Sequence, residues 1–407
     1  MPSREEVSYF GAGPAPLPTP VLESASQVLL NYNNTGLGLT EISHRSGDAT
    51  AILASTTTAL RTLLDIPTSD GPGGYQVLFL HGGGSGEFSQ VVYHMTSLFA
   101  ASKQNIDSMK LDYLVTGSWS LKASQEAARL IGSKYVNVAL DARTHRDGKF
   151  GKVPTQDQWT PTTNTEDCAL TYYCDNETVD GVEFPFLPTN SPNLVADMSS
   201  NFLSRAVDVR AHAAIFGGAQ KNIGTTGITI AIVSNKILPP HAKLSTPEHL
   251  RELGLPNGPI VLDWPTTAKN NSLYNTLPIF DVWIAGQVME RLLTFSPANK
   301  SPRISVQEAE SKQKASLLYG VLDANPEVYQ VVPDKNARSN MNVCFRIRNG
   351  DAEAEKAFLK GAEAKGLLGL KGHRSVGGIR ASNYNAVKVD AVKKLVEWLK
   401  EFAEGKH

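Results

Sequence analysis

Lys221 lies between two apolar runs, in the stretch IFGGAQKNIGTTGITIAIV from Ile215 to Val233. Ile, Ala and Val fill both runs, as they fill buried strands. A solvated lysine needs no such setting. A reactive one gains from it, because a dry surround favours the neutral, nucleophilic amine. The plain alternative is a lysine at a hairpin tip. Asp197 precedes Lys221 by 24 residues, in NLVADMSSNFLS, at the end of a predicted strand. Open α/β sheets gather catalytic groups at that end of their strands. A carboxylate buried there needs a cationic partner, and a protonated ring nitrogen would serve; the commoner role of such an Asp is to cap a turn. A lysine that bonds to an aldehyde and an aspartate that holds a pyridinium are together what pyridoxal phosphate asks of a protein.

Other residues could complete such a site. The glycine loop HGGGSGEF, His81 to Phe88, follows a predicted strand and opens a predicted helix. Backbone N–H groups and the helix dipole there suit a phosphate, although a plain tight turn uses the same residues. The loop lacks the GK[ST] ending of a nucleotide loop, and Glu87 stands where a dinucleotide fingerprint or a nucleophile elbow has its last glycine. Trp119, in TGSWS just after a strand, could stack on a flat ring or simply fill core. Two glycine-flanked pairs, His44–Arg45 and His373–Arg374, and a further Arg380 sit outside any helical periodicity. His titrates near neutrality and Arg does not, so together they suit an anion of variable charge. Any one pair reads as a surface cluster; two pairs and a third arginine favour a site.

The elements that must position these residues follow from periodicity. From about Tyr75 to Val233 strand-like runs (YQVLFL, LDYLVTG, YVNVAL, ALTYYC, NLVADMS, AAIFGGA, GITIAIV) alternate with helix-like ones, the pattern of a mostly parallel α/β sheet. SWSLKASQEAARLIG is a helix closed by a C-cap glycine, Gly132. The polar stretch RTHRDGKFGKVPTQDQWTPTTN reads as a long surface loop. From about Phe280 helices dominate, with one strand, MNVCFRIR, and a last amphipathic helix whose Val392, Leu395, Trp398, Leu399 and Phe402 share one face. The expected organisation is a large domain over 20–294 and a smaller α+β domain over 295–407 joined by the N-terminal segment 1–19. The chain has 407 residues and a formal net charge of −1, which excludes nucleic acid or an anionic membrane as a bulk partner. Its three cysteines fit no zinc spacing and read as free thiols of a reducing compartment. No apolar run approaches the ~18 residues of a membrane span, so a soluble, cytoplasmic protein without a metal is expected.

The residues GAGPAPLP, HRS, GGGSGEF, TGSWS, YCDNETVDGVEF, ADMSSNFLSRAVDV, GAQKNIG, LYNTLP and GHRSVGGIRASNYNA are similar to those of a known family. Together they make the chain resemble the phosphoserine aminotransferases, class V enzymes of the fold type I pyridoxal-phosphate transferases. The resemblance implies an α/β large domain, a smaller C-terminal domain and the cofactor pyridoxal 5'-phosphate. It implies amino transfer from glutamate to 3-phosphohydroxypyruvate in serine biosynthesis, with 4-phosphohydroxythreonine as a further substrate. Lys221 would bond to the cofactor and carry protons, and Asp197 would pair with its ring nitrogen. Trp119 would stack on the ring, while Gly84, Ser85, Thr178 and Gln220 would hold its oxygens and phosphate. Asn275 and Thr276 would reach that phosphate from a second subunit, which implies a homodimer with shared sites. Arg380 would clamp the substrate α-carboxylate, and His44, Arg45, His373 and Arg374 would bind its distal anion. Glu87 departs from the family, which often has Gln there. A desulfurase of the same fold would need a cysteine on a mobile loop, whereas Cys168, Cys174 and Cys344 lie at or in predicted strands; an alanine–glyoxylate type transaminase is the remaining alternative.

Overall fold

The apolar runs become one seven-stranded sheet. The computed structural model describes residues 3–103 and 105–406. Strands β1 (Tyr75–Leu80), β2 (Lys110–Val115), β3 (Val136–Asp141), β4 (Cys168–Cys174), β5 (Leu194–Asp197), β6 (Ala214–Gly218) and β7 (Thr229–Ser234) lie in the order β1-β7-β6-β5-β4-β2-β3. Every neighbouring pair is parallel except those of β7, which runs against β1 and β6. Every residue of β4 to β7 is buried, as expected for strands covered on both faces. Alternate side chains feed opposite layers. Ile230 and Ile232 pack with residues of helices Gly47–Leu64 and Ile279–Phe295, while Ala231 and Val233 pack with helices Gly83–Ser102 and Ser118–Ile131.

A second sheet, of three antiparallel strands, has β9 (Asn342–Ile347) between β8 (Tyr329–Val331) and β10 (Ile379–Ser382). With helices Ser305–Ala324, Ala352–Ala364 and Val389–Ala403 it encloses a separate apolar core. Val392, Leu395, Trp398, Leu399 and Phe402 all point into that core. Phe10 joins it, and Ser8–Tyr9 pairs in parallel with Leu367–Leu368.

Two local expectations change. The step from Asp197 to β6 contains no α-helix, only a 3-10 turn at Val209–Ala211. Ser204 Oγ there donates to Asn201 O in a turn, and Asn222 Nδ2, from beyond β6, donates to Phe202 O. The polar stretch after Asp141 is not solvated throughout, because Trp159 is 9% exposed and its ring stacks on Phe186 at 6.0 Å. The three cysteines are free and buried. No helix among the described residues is long and apolar enough to cross a membrane.

Candidate active site

Lys221 stands just after β6, in the connection that leads back antiparallel into β7. It is therefore in a hairpin connection, yet its side chain is half-buried and its Nζ donates to Thr178 Oγ1 (3.4 Å) and Tyr384 Oη (3.3 Å). The Tyr384 hydroxyl donates to Ala12 O (3.0 Å) and accepts from Asn342 Nδ2 (3.2 Å), so it is fixed from both sides. The N-terminal strap crosses the lysine at Gly13. A Cβ there would lie 2.8 Å from Lys221 Cδ and Cε, at a φ of +125° that other residues rarely adopt.

Asp197 is the last residue of β5 and is 4% exposed. Its Oδ1 accepts from Ser199 N (2.9 Å) and Ser199 Oγ (2.6 Å), and Ser199 Oγ accepts from Gly218 N (3.2 Å) at the end of β6. Oδ2 has no hydrogen-bond partner among the described residues. Burial holds the Asp197 carboxyl above the usual carboxylate range, against the lowering pull of Ser199 and the Lys221 charge. Such a group is half-satisfied, and a cation with an N–H to offer would complete it.

The glycine turn faces the same spot. Gly82 and Gly83 have φ values of +101° and +62°, and helix Gly83–Ser102 starts there. A Cβ on Gly84 would stand 3.7 Å from Ser199 Oγ and 4.0 Å from Asp197 Oδ2. The first-turn N–H groups, including those of Gly84 and Ser85, have no acceptor within the helix and make an anion seat beside Asp197. Half-buried Gln220 accepts Ala15 N at its carbonyl (2.8 Å) and follows the Gly218–Ala219 turn.

Trp119 is held from behind. Glu177 accepts Trp119 N (2.8 Å), Ser120 N (2.9 Å) and Ser120 Oγ (2.5 Å), capping helix Ser118–Ile131. Asp180 accepts Ser118 N (3.0 Å) and Ser118 Oγ (3.1 Å) at the same end. Burial, with the charge of Asp180, pushes Glu177 up to about 8. Thr178, the next residue, also accepts Arg380 Nη1 at its carbonyl (3.3 Å). Thr178 thus joins Lys221 and Arg380. His373 lies close enough to Arg380, Lys122 and Arg374 to feel their charge; burial first and those cations second hold it below its ordinary value.

His44 and Arg45 fall elsewhere. Arg45 Nη2 donates to Leu273 O (3.4 Å), and exposed Asn275 and Thr276 continue that segment, with Thr276 O bonded to His81 Nε2 (3.0 Å). Among the described residues no hydrogen bond joins either pair to the Lys221 group, although Thr276 meets His81 at the start of the glycine turn. Among residues not singled out from sequence, Tyr384, Ser199, Glu177 and Asp180 bear directly on it. Tyr384 and Ser199 lay inside quoted motifs without a signal of their own, and nothing local marks Glu177 and Asp180 as caps of a helix some 60 residues earlier.

The donor set fits a phosphorylated cationic ring: an anion seat, an acceptor for a ring N–H, an indole and an amine. Residues 7–395 match the class-V aminotransferase pattern. The chain belongs to the class-V aminotransferases. It is 44% identical to the phosphoserine aminotransferase of Saccharomyces cerevisiae over 98% of each chain. It is 40% identical to that of Pseudomonas aeruginosa over 97% of each. The phosphoserine aminotransferase of Bacillus circulans subsp. alkalophilus has this fold at a TM-score of 0.83, 33% identity and 98% coverage of both chains. A PLP-bound phosphoserine aminotransferase from Trichomonas vaginalis has it at 0.82 and 33%, covering 97% of this chain and all of the other. The protein is a pyridoxal-phosphate-dependent aminotransferase of fold type I.

Proposed function

We propose that this aminotransferase carries an amino group reversibly between glutamate and 3-phosphohydroxypyruvate, giving O-phospho-L-serine and 2-oxoglutarate for serine biosynthesis. The observation that carries this reading is its similarity to phosphoserine aminotransferases along nearly the whole chain, including 44% identity with the yeast relative. When bound, the cofactor supplies an electron sink for the pair released at the substrate Cα. Lys221 holds the cofactor covalently and then moves the Cα proton, a task for a free amine that Thr178 and Tyr384 aim. Asp197 offers Oδ2 to the ring N–H and keeps it charged. Trp119 covers the ring, and Gly84, Ser85, Thr178 and Gln220 hold its oxygens. Arg380 forks onto the α-carboxylate, and His373 and Arg374 meet the distal carboxylate or phosphate with charge-assisted bonds.

His44, Arg45, Asn275 and Thr276 serve the site of a second copy. Arg45 bonds the Leu273 carbonyl rather than the Lys221 group, and with exposed Ile260, Val261 and Tyr274 near the same segment in sequence this supports a homodimer with shared sites. Three free buried cysteines support a cytoplasmic setting. The separate core carrying Phe10 and Leu318 to Phe402 supports a division into 20–294 and 295–407 with 1–19.

The test is a panel of amino donors, read as conversion of the bound cofactor from its pyridoxal to its pyridoxamine form. Phosphoserine and glutamate should convert it, and alanine should not. Conversion by alanine with none by phosphoserine would replace this reading by an alanine–glyoxylate type activity.

A further inference from the structure

Glu87 is 0% exposed, on the second turn of the helix whose first turn forms the anion seat. Its Oε1 accepts the Gln90 amide (3.1 Å), which is held from the other side by Trp264 Nε1 (2.9 Å) once its oxygen faces the indole. Its Oε2 is buried with no hydrogen-bond partner among the described residues. The charged group facing it from the sheet is Asp197. The other titratable groups on its own helix are Tyr93 and His94; the His94 ring lies 4.9 Å from that of Trp264, and burial pushes it down to about 4, so neither brings a positive charge. The segment packed over the helix adds Asp263 beside His94, another acid. Among the described residues Glu87 therefore has no cation paired with it. Burial pushes Glu87 up to about 8, against the lowering pull of the Trp264 indole and with the Asp197 charge adding a smaller rise.

An ionised carboxylate in that position would meet two other anions, Asp197 and a phosphate on the turn above. A neutral acid would not, and its orphaned oxygen would carry a proton that it can donate. We propose that Glu87 is a positioning residue: a neutral carboxylic acid beneath the phosphate-binding turn, whose proton keeps a further negative charge away from Asp197 and the cofactor phosphate, so that losing the proton loosens the cofactor. The inference rests on the cofactor seat described above. It concerns the strength and pH range of cofactor holding, not the choice of substrate.

The probe is pyridoxamine 5'-phosphate, which forms no bond to Lys221, titrated into apoenzyme and followed by tryptophan fluorescence from pH 6.5 to 9.5. Wild type and Glu87→Gln are compared at each pH, so that the ligand's own titration cancels. The amide is isosteric, uncharged and a hydrogen-bond donor. The wild-type dissociation constant should rise relative to that of Glu87→Gln on the order of tenfold or more across the window, by proton linkage. Parallel profiles for the two proteins would overturn the proposal. So would a wild-type constant that stays level after correction for the free ligand, a result that needs no variant to fold. Thermal unfolding of the apoproteins gives a second readout. A carboxyl raised in the folded state costs stability as pH climbs from its unfolded value through its folded one. Wild type should accordingly lose more melting temperature than Glu87→Gln between pH 6 and 9, and an equal loss would count against the proposal. Failure of both proteins to bind the probe would remove the seat itself, and this inference with it.

Discussion

At the scale of single residues, Lys221 is defined by what surrounds it. Thr178 and Tyr384 take its hydrogen bonds, and Gly13 leaves room over its stem. Lys221→Ala should keep a loosely held cofactor and lose the proton-transfer step, worth roughly 10²–10⁴-fold in rate. Stopped-flow spectra of cofactor conversion by phosphoserine measure it, and a near wild-type rate would dismiss Lys221 as the base. The cations beyond it should divide their work. Arg380→Lys should weaken glutamate and phosphoserine alike, since both carry the α-carboxylate and lysine cannot form the fork. His373→Ala and Arg374→Ala should hurt phosphoserine more, because a dianion gains more from each cation. A lost charge-assisted bond costs about 1.5–3 kcal/mol, or roughly tenfold to over a hundredfold in kcat/KM. His373 is held below its ordinary value in part by Arg374, so removing Arg374 lets it charge more readily at acid pH. The Arg374→Ala defect should then be larger at pH 8 than at pH 6. An unchanged phosphoserine-to-glutamate ratio in both His373→Ala and Arg374→Ala would place the distal anion elsewhere.

At the scale of elements, the decisive contacts are caps and strand ends. Helix Ser118–Ile131 presents Trp119, and Glu177 fastens its first turn with three hydrogen bonds while fully buried. Glu177→Ala should cost about 0.5–2 kcal/mol, the usual range for a lost cap, measured by urea unfolding at pH 7. Because Glu177 rises to about 8 in the folded protein, its favourable share is fully present below the ordinary carboxylate range and is lost as pH climbs from there to about 8. Wild type should then show a steeper fall in stability than Glu177→Gln from pH 5 to 8; equal slopes would mean the carboxyl titrates normally. These caps also mark how far the sequence was legible. Helix Ser305–Ala324, the face of Val389–Ala403 and Gly132 as a C-cap follow from periodicity and local chemistry, which act within a few residues. The Lys221 and Asp197 positions follow the same way, since Asp197 ends one buried strand and Lys221 lies in the turn between two others. The antiparallel run of β7, the missing helix after Asp197 and the Glu177 cap depend on partners distant in sequence, which no local pattern encodes.

At the scale of the whole molecule, one chain leaves its candidate site in two groups. Lys221, Thr178, Tyr384 and Arg380 are linked by hydrogen bonds, and Asp197 lies with the glycine turn beside them. Arg45 and the Leu273–Thr276 segment are joined to each other instead, on a surface that also carries the exposed side chains of Asn275 and Thr276. In the proposed twofold dimer one such surface would meet the other chain's site, and would do so twice by symmetry. The two groups should therefore complement across subunits. A Lys221→Ala chain still offers a sound Asn275–Thr276 segment, and a chain with Asn275→Ala and Thr276→Ala still offers a sound Lys221. Each parent homodimer has two defective sites: one lacks the base in both, the other lacks the second-chain contacts in both. In the mixed dimer both defects fall on one site and the other is whole. Differently tagged chains, co-expressed and purified through both tags, should recover about half of the wild-type activity per dimer, well above either parent. Activity no greater than the mean of the parents would mean that each site is built within one chain, with Asn275 and Thr276 serving only the surface on which they lie.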